Sequence, residues 1–333
     1  MSSVAPFQEI FGDFVVVAIP TRTDFRGINI REAALFRGPC GWSEFSPFLE
    51  YDTSEAKTWL KAAVEGAYQE WPDLLRSEVK INATLPRVSP DRVPEILAKF
   101  PGCATIKIKI DDFEQDHYLV EAALEEVPDA MIRLDVNGGW SLQQALLNLH
   151  DYHLRFGKVF EYVEQPCLAL EDLRDLKAEI PIKIAVDESI RKNLGSDMSI
   201  LRDVADVAIV KWAPSGGIAA ARELIESIGL PAVVSSALDT GIGISHAAAL
   251  AASLSGAEYA CGLGTVSLLM DDVVVPPVVP MNGVISVGRV TPSSAQLHKY
   301  RASPERHSWW QNRIISIWNS GLSDEVKDLG WLN

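Results

Sequence analysis

Short apolar runs alternate with amphipathic segments along the chain from about residue 79 to residue 262. The runs are rich in valine and isoleucine, as strands buried on both faces are, and the segments between them carry apolar residues at helical spacing. Eight such repeats predict eight parallel strands, each followed by a helix, closed into a (β/α)8-type, TIM-like barrel of the α/β class. The eight runs are VKINATL, ATIKIKI, MIRLDV, FEYVEQP, IKIAVDES, DVAIVKW, PAVVSS and EYACGLG.

The two ends of the chain follow a different pattern. Residues 1–78 hold three strand-like segments, FVVVAIP, INIREAALF and SEFSPF. A helical segment follows, which opens with a capping-box pattern at Thr53 or Ser54 and stops at Pro72. This order predicts an N-terminal α+β capping domain ahead of a barrel domain at 79–280. The tryptophan-rich segment 281–333 is expected to return to the capping domain and complete it.

The overall charge restricts the classes of partner. The formal net charge is -15, so the protein would repel nucleic-acid phosphates and anionic lipids, and an anionic substrate would need a local positive site or a bound cation. No apolar run approaches the ~20 residues of a membrane helix, and the N-terminus lacks the pattern of a signal peptide. The four cysteines form no CxxC pair. We therefore expect a cytoplasmic protein that binds neither nucleic acid nor membrane.

Ionisable residues close five successive apolar runs. They follow one another at intervals of 23 to 29 residues, which matches one strand–helix unit each time, and they are Lys109, Asp135, Glu164, Asp187 and Lys211. Single residues of this kind are usually helix caps or surface charges. The carboxyl ends of barrel strands surround one mouth. Five ionisable residues at the ends of successive strands therefore predict one cavity lined by two lysines and three carboxylates.

This set of charges indicates a particular chemistry. Three close carboxylates repel one another, and a hard divalent cation such as Mg²⁺ relieves that repulsion. A substrate carboxylate held by the cation would have a more acidic α-proton, and lysines on the second and sixth strands would flank that carbon. Lys107 lies two residues before Lys109, so both point to the same face of their strand. Its charge would help to lower the pKa of Lys109 and make that residue a base.

The same motifs resemble those of the muconate-lactonizing-enzyme subgroup of the enolase superfamily. They are KIK with Lys107 and Lys109, DVN with Asp135 and Asn137, EQP with Glu164, DES with Asp187 and Glu188, and VKWAPSGG with Lys211. The resemblance covers nearly the whole chain. Finer motifs resemble the o-succinylbenzoate synthase family, particularly its actinobacterial branch; they are RLDVNGGW, EYVEQPC, IAVDES, SSALDTGIG and CGLGT.

The resemblance implies a role for each residue. It implies Mg²⁺, for which Mn²⁺ can substitute, on Asp135, Glu164 and Asp187, and a small-molecule carboxylate substrate, 2-succinyl-6-hydroxy-2,4-cyclohexadiene-1-carboxylate. The substrate would lose its α-proton and its hydroxyl group, as water, from the same face of the ring. The ring would thereby become aromatic, in a step of menaquinone biosynthesis. Lys109 would move the proton, Lys211 would stabilise the enediolate from the opposite side, and Lys107 would tune Lys109. Further residues implied at the substrate are Asn137, Ser236, Gly262 and Arg26, with Glu188 behind them holding a lysine.

Other functions remain open from the sequence. Two lysines also suit an N-succinyl or N-acylamino acid racemase, or a muconate-type cycloisomerase, of the same superfamily. A Schiff-base aldolase needs only one lysine and no metal, and a non-catalytic scaffold needs none of the set. The oligomeric state is also open, and a monomer is compatible with the sequence.

Overall fold

A computed structural model of the chain describes residues 7–25, 27–192, 197–256 and 258–332. Of the residues implied at the substrate, Arg26 lies outside these ranges. No helix in the described ranges is both long enough and apolar enough to cross a membrane.

A small antiparallel sheet and a long helix form the N-terminal part. Their order is α1 (Phe7–Ile10), β1 (Gly12–Phe25), β2 (Ile28–Gly38), β3 (Gly41–Phe45) and α2 (Thr53–Tyr68). Strand β3 begins earlier than predicted because the GPCGW turn is so tight that Gly41 already pairs with Gly38. The N-cap of α2 is Asp52, not Thr53 or Ser54, because the Asp52 carboxylate accepts from the backbone N–H of Glu55.

In the part of the chain that the structure describes, seven parallel strands form the wall of the barrel, and each strand pairs with the next one along the chain. They follow a short strand, β4 (Glu78–Lys80), and are β5 (Ala83–Leu85), β6 (Thr105–Lys109), β7 (Met131–Asp135), β8 (Phe160–Glu164), β9 (Ile184–Val186), β10 (Val207–Val210) and β11 (Ala232–Val234).

The eighth run closes the wall by two bridges. Cys261 bridges Ile81 beside the first strand, and Gly262 bridges Ser235 after the seventh. The Cys261 N–H donates to the Lys80 carbonyl at 2.7 Å, and the Gly262 N–H donates to the Val234 carbonyl at 2.8 Å. The predicted barrel is therefore confirmed, with its last strand reduced to a few backbone bonds.

Helices cover the outside of this wall. They are α3 (Val93–Leu97), α4 (Phe113–Glu126), α5 (Leu142–Phe156), α6 (Leu170–Glu179), α7 (Glu188–Lys192), α8 (Leu201–Val204), α9 (Ile218–Ile228) and α10 (Gly241–Ser253). Every residue of α10 is buried. The capping domain covers the outer face of this helix, which in the other helices faces solvent.

The C-terminal segment contacts the capping domain. It contains β12 (Val284–Ser286), which pairs with β4, and then α11 (Ser294–Lys299), α12 (Pro304–Ile317) and α13 (Ser323–Asp328). The fully buried Trp310 of α12 meets Phe45 edge to face, and its indole N–H donates to Glu32 of β2 at 2.7 Å. Arg306 pairs with the same Glu32. These contacts complete the N-terminal α+β layer, as the sequence predicted.

Buried carboxylates of the capping domain hold the start of two barrel helices. Glu44 on β3 accepts from the hydroxyl of Thr240 at 2.6 Å and from the N–H of Gly243 at 3.0 Å, at the start of α10. Glu65 on α2 accepts from the N–H groups of Ile218 and Ala219 at the start of α9. Negative charge at a helix N-terminus is stabilising, so these bonds fix the capping domain against the barrel.

A neutral histidine lies at the same domain interface. His246 of α10 is buried, stacks on Trp212 and accepts from the Trp71 indole N–H through Nδ1 at 3.0 Å. Its Nε2 lies 3.1 Å from the Trp42 carbonyl and must be the donor there, since a carbonyl only accepts. Burial lowers the pKa of His246 to about 4.

This pKa predicts an acid-dependent loss of stability. Below pH 6.5 the unfolded chain binds a proton at this position and the folded chain does not, so the folded state loses about 2 kcal/mol between pH 7 and pH 5. His246→Gln should remove that part of the loss, whereas replacing the exposed His150 by Gln should leave it unchanged. Urea unfolding at the two pH values measures the difference, and an equal acid loss in wild type and His246→Gln would contradict the assignment.

Candidate active site

The register of the parallel strands places the predicted charges side by side. Lys109, the last residue of β6, pairs with Asp135, the last of β7, and Asp135 pairs in turn with Glu164, the last of β8. Asp187 follows directly after β9, and Lys211 follows directly after β10. All five line one pocket at the carboxyl ends of the strands, as the spacing predicted.

Lys107 and Lys109 share the carboxylates of the two neighbouring strands. The Lys107 ammonium lies 2.7 Å from Asp135 Oδ2 and 2.8 and 2.9 Å from the two oxygens of Glu164. Lys109 Nζ lies 2.5 Å from Asp135 Oδ2 and 2.7 Å from Asn137 Oδ1. Both lysines point into the pocket, while Ile106 and Ile108 point into the apolar layer outside it and are fully buried.

The third lysine approaches from the other side of the pocket. Lys211 Nζ lies 2.5 Å from Asp187 Oδ2. Three strands, β7, β8 and β9, separate its strand from that of Lys109. The two amines therefore stand on opposite sides of the mouth with the carboxylates between them. This is the flanking arrangement that the sequence predicted.

Burial and the neighbouring charges shift the pKa values of these groups in different directions. Burial lowers the pKa of Lys109, helped by the charge of Lys107, although Asp135 opposes the change. For Lys107 the cost of burial is outweighed by Asp135 and Glu164, which raise its pKa. Burial and the nearby Asp135 raise the pKa of Glu164 to about 7. Of the two adjacent lysines, Lys109 is therefore the one closer to a neutral base.

The donor set fits a hard cation, although the side chains are not gathered around one. Among the described residues, no three His, Cys, Asp or Glu side chains form a metal cluster, since ammonium groups lie between the carboxylates. Asp135, Glu164 and Asp187 nevertheless line the same pocket and are each at most 4% exposed. Burial and the nearby Asp135 disfavour negative charge on Glu164, and a bound cation would offset both effects. An all-oxygen set of this kind suits Mg²⁺ or a similar ion.

Three of the residues implied at the substrate line the pocket, and they are Asn137, Ser236 and Gly262. The Ser236 hydroxyl donates to the Gly262 carbonyl at 2.8 Å and also contacts the Thr265 hydroxyl. A Cβ at position 262 would lie 2.5 Å from Ser235 Oγ and 3.2 Å from Ser235 Cβ, so this close approach favours glycine.

Glu188 lies behind the pocket wall, but its partner differs from the expected lysine. Its Oε1 accepts from Asn137 Nδ2 and from Arg191 Nη2, both at 3.2 Å. Glu188 sits on α7 and holds an amide and a guanidinium that face the pocket.

Sequence reasoning missed one cation and one aromatic surface of the pocket. Arg191 of α7 lines the pocket. Its position four residues after Asp187 could have indicated this, because residues four apart at a helix lie on the same face. Phe48, Tyr51 and Trp59 come from the capping domain, packed edge to face. No local sequence pattern identifies them, because they reach the pocket only when the two domains meet.

Comparison with known proteins agrees with this architecture. Residues 16–67 match the model of the enolase N-terminal domain-like family, and residues 95–292 match that of the enolase C-terminal domain-like family. Muconate lactonizing enzyme from Pseudomonas putida superposes with a TM-score of 0.72 at 19% identity, covering 87% of this chain and 98% of its own. The L-Ala-D/L-Glu epimerase of Bacillus subtilis superposes with a TM-score of 0.71 at 22% identity, covering 84% and 96%. The fold and the site thus define a member of the enolase superfamily, whose enzymes generally use a divalent metal.

Sequence relatives narrow this class. The chain is 43% identical over 319 residues to the o-succinylbenzoate synthase of Mycolicibacterium smegmatis, covering 95% of this chain and 98% of that protein. It is 41% identical over 314 residues to the o-succinylbenzoate synthase of Mycobacterium ulcerans, covering 93% and 94%. The chain belongs to the o-succinylbenzoate synthase family.

The shared role of Lys107 predicts a large loss of stability when it is removed. Lys107→Met leaves the buried Asp135 and Glu164 without their common partner, so we expect a loss of about 3–5 kcal/mol in metal-free buffer. Lys183→Met removes an exposed lysine near the start of β9 and should cost less than about 0.5 kcal/mol. Urea unfolding measures both, and similar losses for the two variants would refute a central role for Lys107.

Proposed function

We propose that the protein dehydrates 2-succinyl-6-hydroxy-2,4-cyclohexadiene-1-carboxylate to 2-succinylbenzoate, a step of menaquinone biosynthesis, in the cytoplasm. The observation that carries the proposal is the pair of amines, Lys109 and Lys211, on opposite sides of a pocket with three buried carboxylates between them. The o-succinylbenzoate synthases of mycobacteria, similar over nearly the whole chain, support this choice of substrate.

Asp135, Glu164 and Asp187 are the residues that would hold Mg²⁺, with Mn²⁺ as a substitute. When bound, the cation supplies positive charge that orients the substrate carboxylate and makes its α-proton more acidic. Within the protein, the ion pairs of Lys107 with Asp135 and Glu164 hold these two side chains in place. Lys107 thereby contributes to the reaction indirectly, by positioning the carboxylates of Asp135 and Glu164.

Lys109 is the group that moves the proton. Its amine, with a pKa lowered by burial, removes the proton from the carbon that bears the ring carboxylate. The electron pair left behind forms a carbon–carbon double bond as the bond to the neighbouring hydroxyl breaks. The same ammonium returns the proton to that hydroxyl, which leaves as water from the same face of the ring. Asn137, whose Oδ1 accepts from Lys109, holds the amine in line for both transfers.

Lys211 stabilises the negative charge that develops on the opposite face. Its Nζ lies 2.5 Å from Asp187 Oδ2, so the group is pre-positioned on that side of the pocket. Ser236 and Gly262 line the pocket where the ring of the substrate would lie. The product is aromatic, and this favours loss of water over return of the proton to carbon.

The direct test is formation of 2-succinylbenzoate from the cyclohexadiene acid, followed by absorbance. We expect turnover with Mg²⁺, loss of turnover with EDTA, and recovery on adding Mg²⁺ or Mn²⁺. The reason is that three carboxylates of the protein would repel the substrate carboxylate unless a divalent cation lies between them. Solvent-deuterium exchange into N-succinyl amino acids runs in parallel. Racemisation much faster than dehydration would assign the chain to the racemase reaction instead.

Substitution of each lysine tests its role. Lys109→Ala and Lys211→Ala should each lower kcat by at least about 1,000-fold, since each removes a group that acts on the transition state. Lys177→Ala serves as the control, because Lys177 lies on the outer helix α6. Urea unfolding and circular dichroism check that each variant is folded. Full activity of either pocket variant would exclude the assigned roles.

A further inference from the structure

The pocket holds four positively charged side chains among the described residues, and three of them have a role in the proposed reaction. Lys107, Lys109 and Lys211 each contact a carboxylate at 2.9 Å or less. Arg191 is the fourth, and the proposed chemistry does not use it. The proposed substrate carries two carboxylates, one on the ring and one at the end of the succinyl arm. The mechanism accounts for the first, so the second needs a cation of its own.

Arg191 is held in place by groups from both domains. Its Nη1 donates to the hydroxyl of Tyr51 at 3.0 Å, and its Nη2 donates to Glu188 Oε1 at 3.2 Å. Its Nε lies 3.6 Å from Asp187 Oδ1. These contacts fix the guanidinium plane between the barrel helix α7 and the capping domain while the side chain keeps 26% of its surface exposed.

The guanidinium retains donors for a ligand. It has five N–H groups in a planar fork, and the bonds to Tyr51 and Glu188 use one on each terminal nitrogen. Each terminal nitrogen therefore keeps a second N–H, and guanidinium N–H groups suit the oxygens of a carboxylate. A fixed guanidinium loses little conformational entropy when it binds such a group.

The surroundings of Arg191 suit an apolar arm that ends in a charge. Phe48, Tyr51 and Trp59 form the capping-domain side of the same pocket. Beyond the ketone that joins it to the ring, the succinyl arm has two methylene groups, which would lie along these aromatic faces and bring the terminal carboxylate to the guanidinium. The lysines and carboxylates of the barrel side would remain around the ring.

We propose that Arg191 is the specificity group for the second carboxylate of the substrate, the terminal carboxylate of the succinyl arm. This assignment rests on the proposed function for the identity of the substrate. It gives Arg191 a role in binding and none in proton transfer, and it gives Tyr51 the role of holding Arg191. The sequence implied Arg26 near the substrate instead, and that residue lies outside the described ranges.

The test compares two ligands that differ only at the arm. One is 2-succinylbenzoate, and the other is its amide at the terminal carboxylate, which has the same shape without the charge. Calorimetry in Mg²⁺ should show that wild type binds the acid about 10- to 100-fold more tightly than the amide, as expected for a charged bidentate hydrogen bond. In Arg191→Gln the acid should lose this advantage while the amide binds as in wild type. Arg191→Lys should restore part of it.

Kinetics give a second readout that a merely structural role would not produce. Arg191→Gln should raise KM for the cyclohexadiene acid about 10- to 100-fold and change kcat by less than about threefold. Tyr51→Phe should raise KM in the same direction by a smaller factor, because it removes one bond to the guanidinium. Arg155→Gln, at an exposed arginine of α5 that pairs with Glu121, is the matched control and should change neither.

The outcomes separate this assignment from the proposed function. Wild type that fails to convert the cyclohexadiene acid overturns the proposed function. Wild type that converts it but binds acid and amide equally overturns the assignment of Arg191 alone, and this comparison needs no variant. The assignment also fails if Arg191→Gln weakens both ligands alike, or if Arg26→Gln, and not Arg191→Gln, removes the preference for the acid.

Discussion

The balance of charge at the mouth of the barrel is the constraint on which the rest of the structure depends. Three carboxylates lie buried at the ends of neighbouring strands, where their mutual repulsion is strong, and three lysines face them. The strand register leaves no freedom in this arrangement, because Lys109, Asp135 and Glu164 are paired residues on adjacent strands. A slip of one residue in β7 would turn Asp135 out of the pocket and leave Lys107 and Lys109 without their shared partner.

The capping domain supplies what the barrel cannot supply by itself. Glu44 and Glu65 attach it to the first turns of α10 and α9, and these helices follow the strands that carry Ser236 and Lys211. Arg31 of β2 adds bonds to the Leu238 and Ala237 carbonyls and lies over the ring of Phe48. One buried network thus fixes the position of both the loop after β11 and an aromatic side of the pocket. The pocket is therefore complete only when the capping domain is docked on the barrel.

Much of this could be predicted from the sequence, and the reasons are local. Strand ends are visible as apolar runs, so the polar residue that closes each run, such as Asp135 or Lys211, is assigned to the mouth by spacing alone. The eighth strand was harder, because Cys261 and Gly262 make bridges and not a ladder. The bond of Tyr51 to Arg191 and the bond of Asn137 to Glu188 escaped prediction because they join segments distant in sequence. The cap at Asp52 was missed because Thr53 and Ser54 offer equally good capping side chains.

The pocket has two walls of different origin, one of charged groups on barrel strands and one of rings on the capping domain. Mutations in the second wall can alter which acid is accepted without disturbing the charged groups of the first wall. Evolution of new members from such a scaffold can therefore proceed in two separable stages, with recruitment of a different metabolite preceding any change in bond-breaking chemistry.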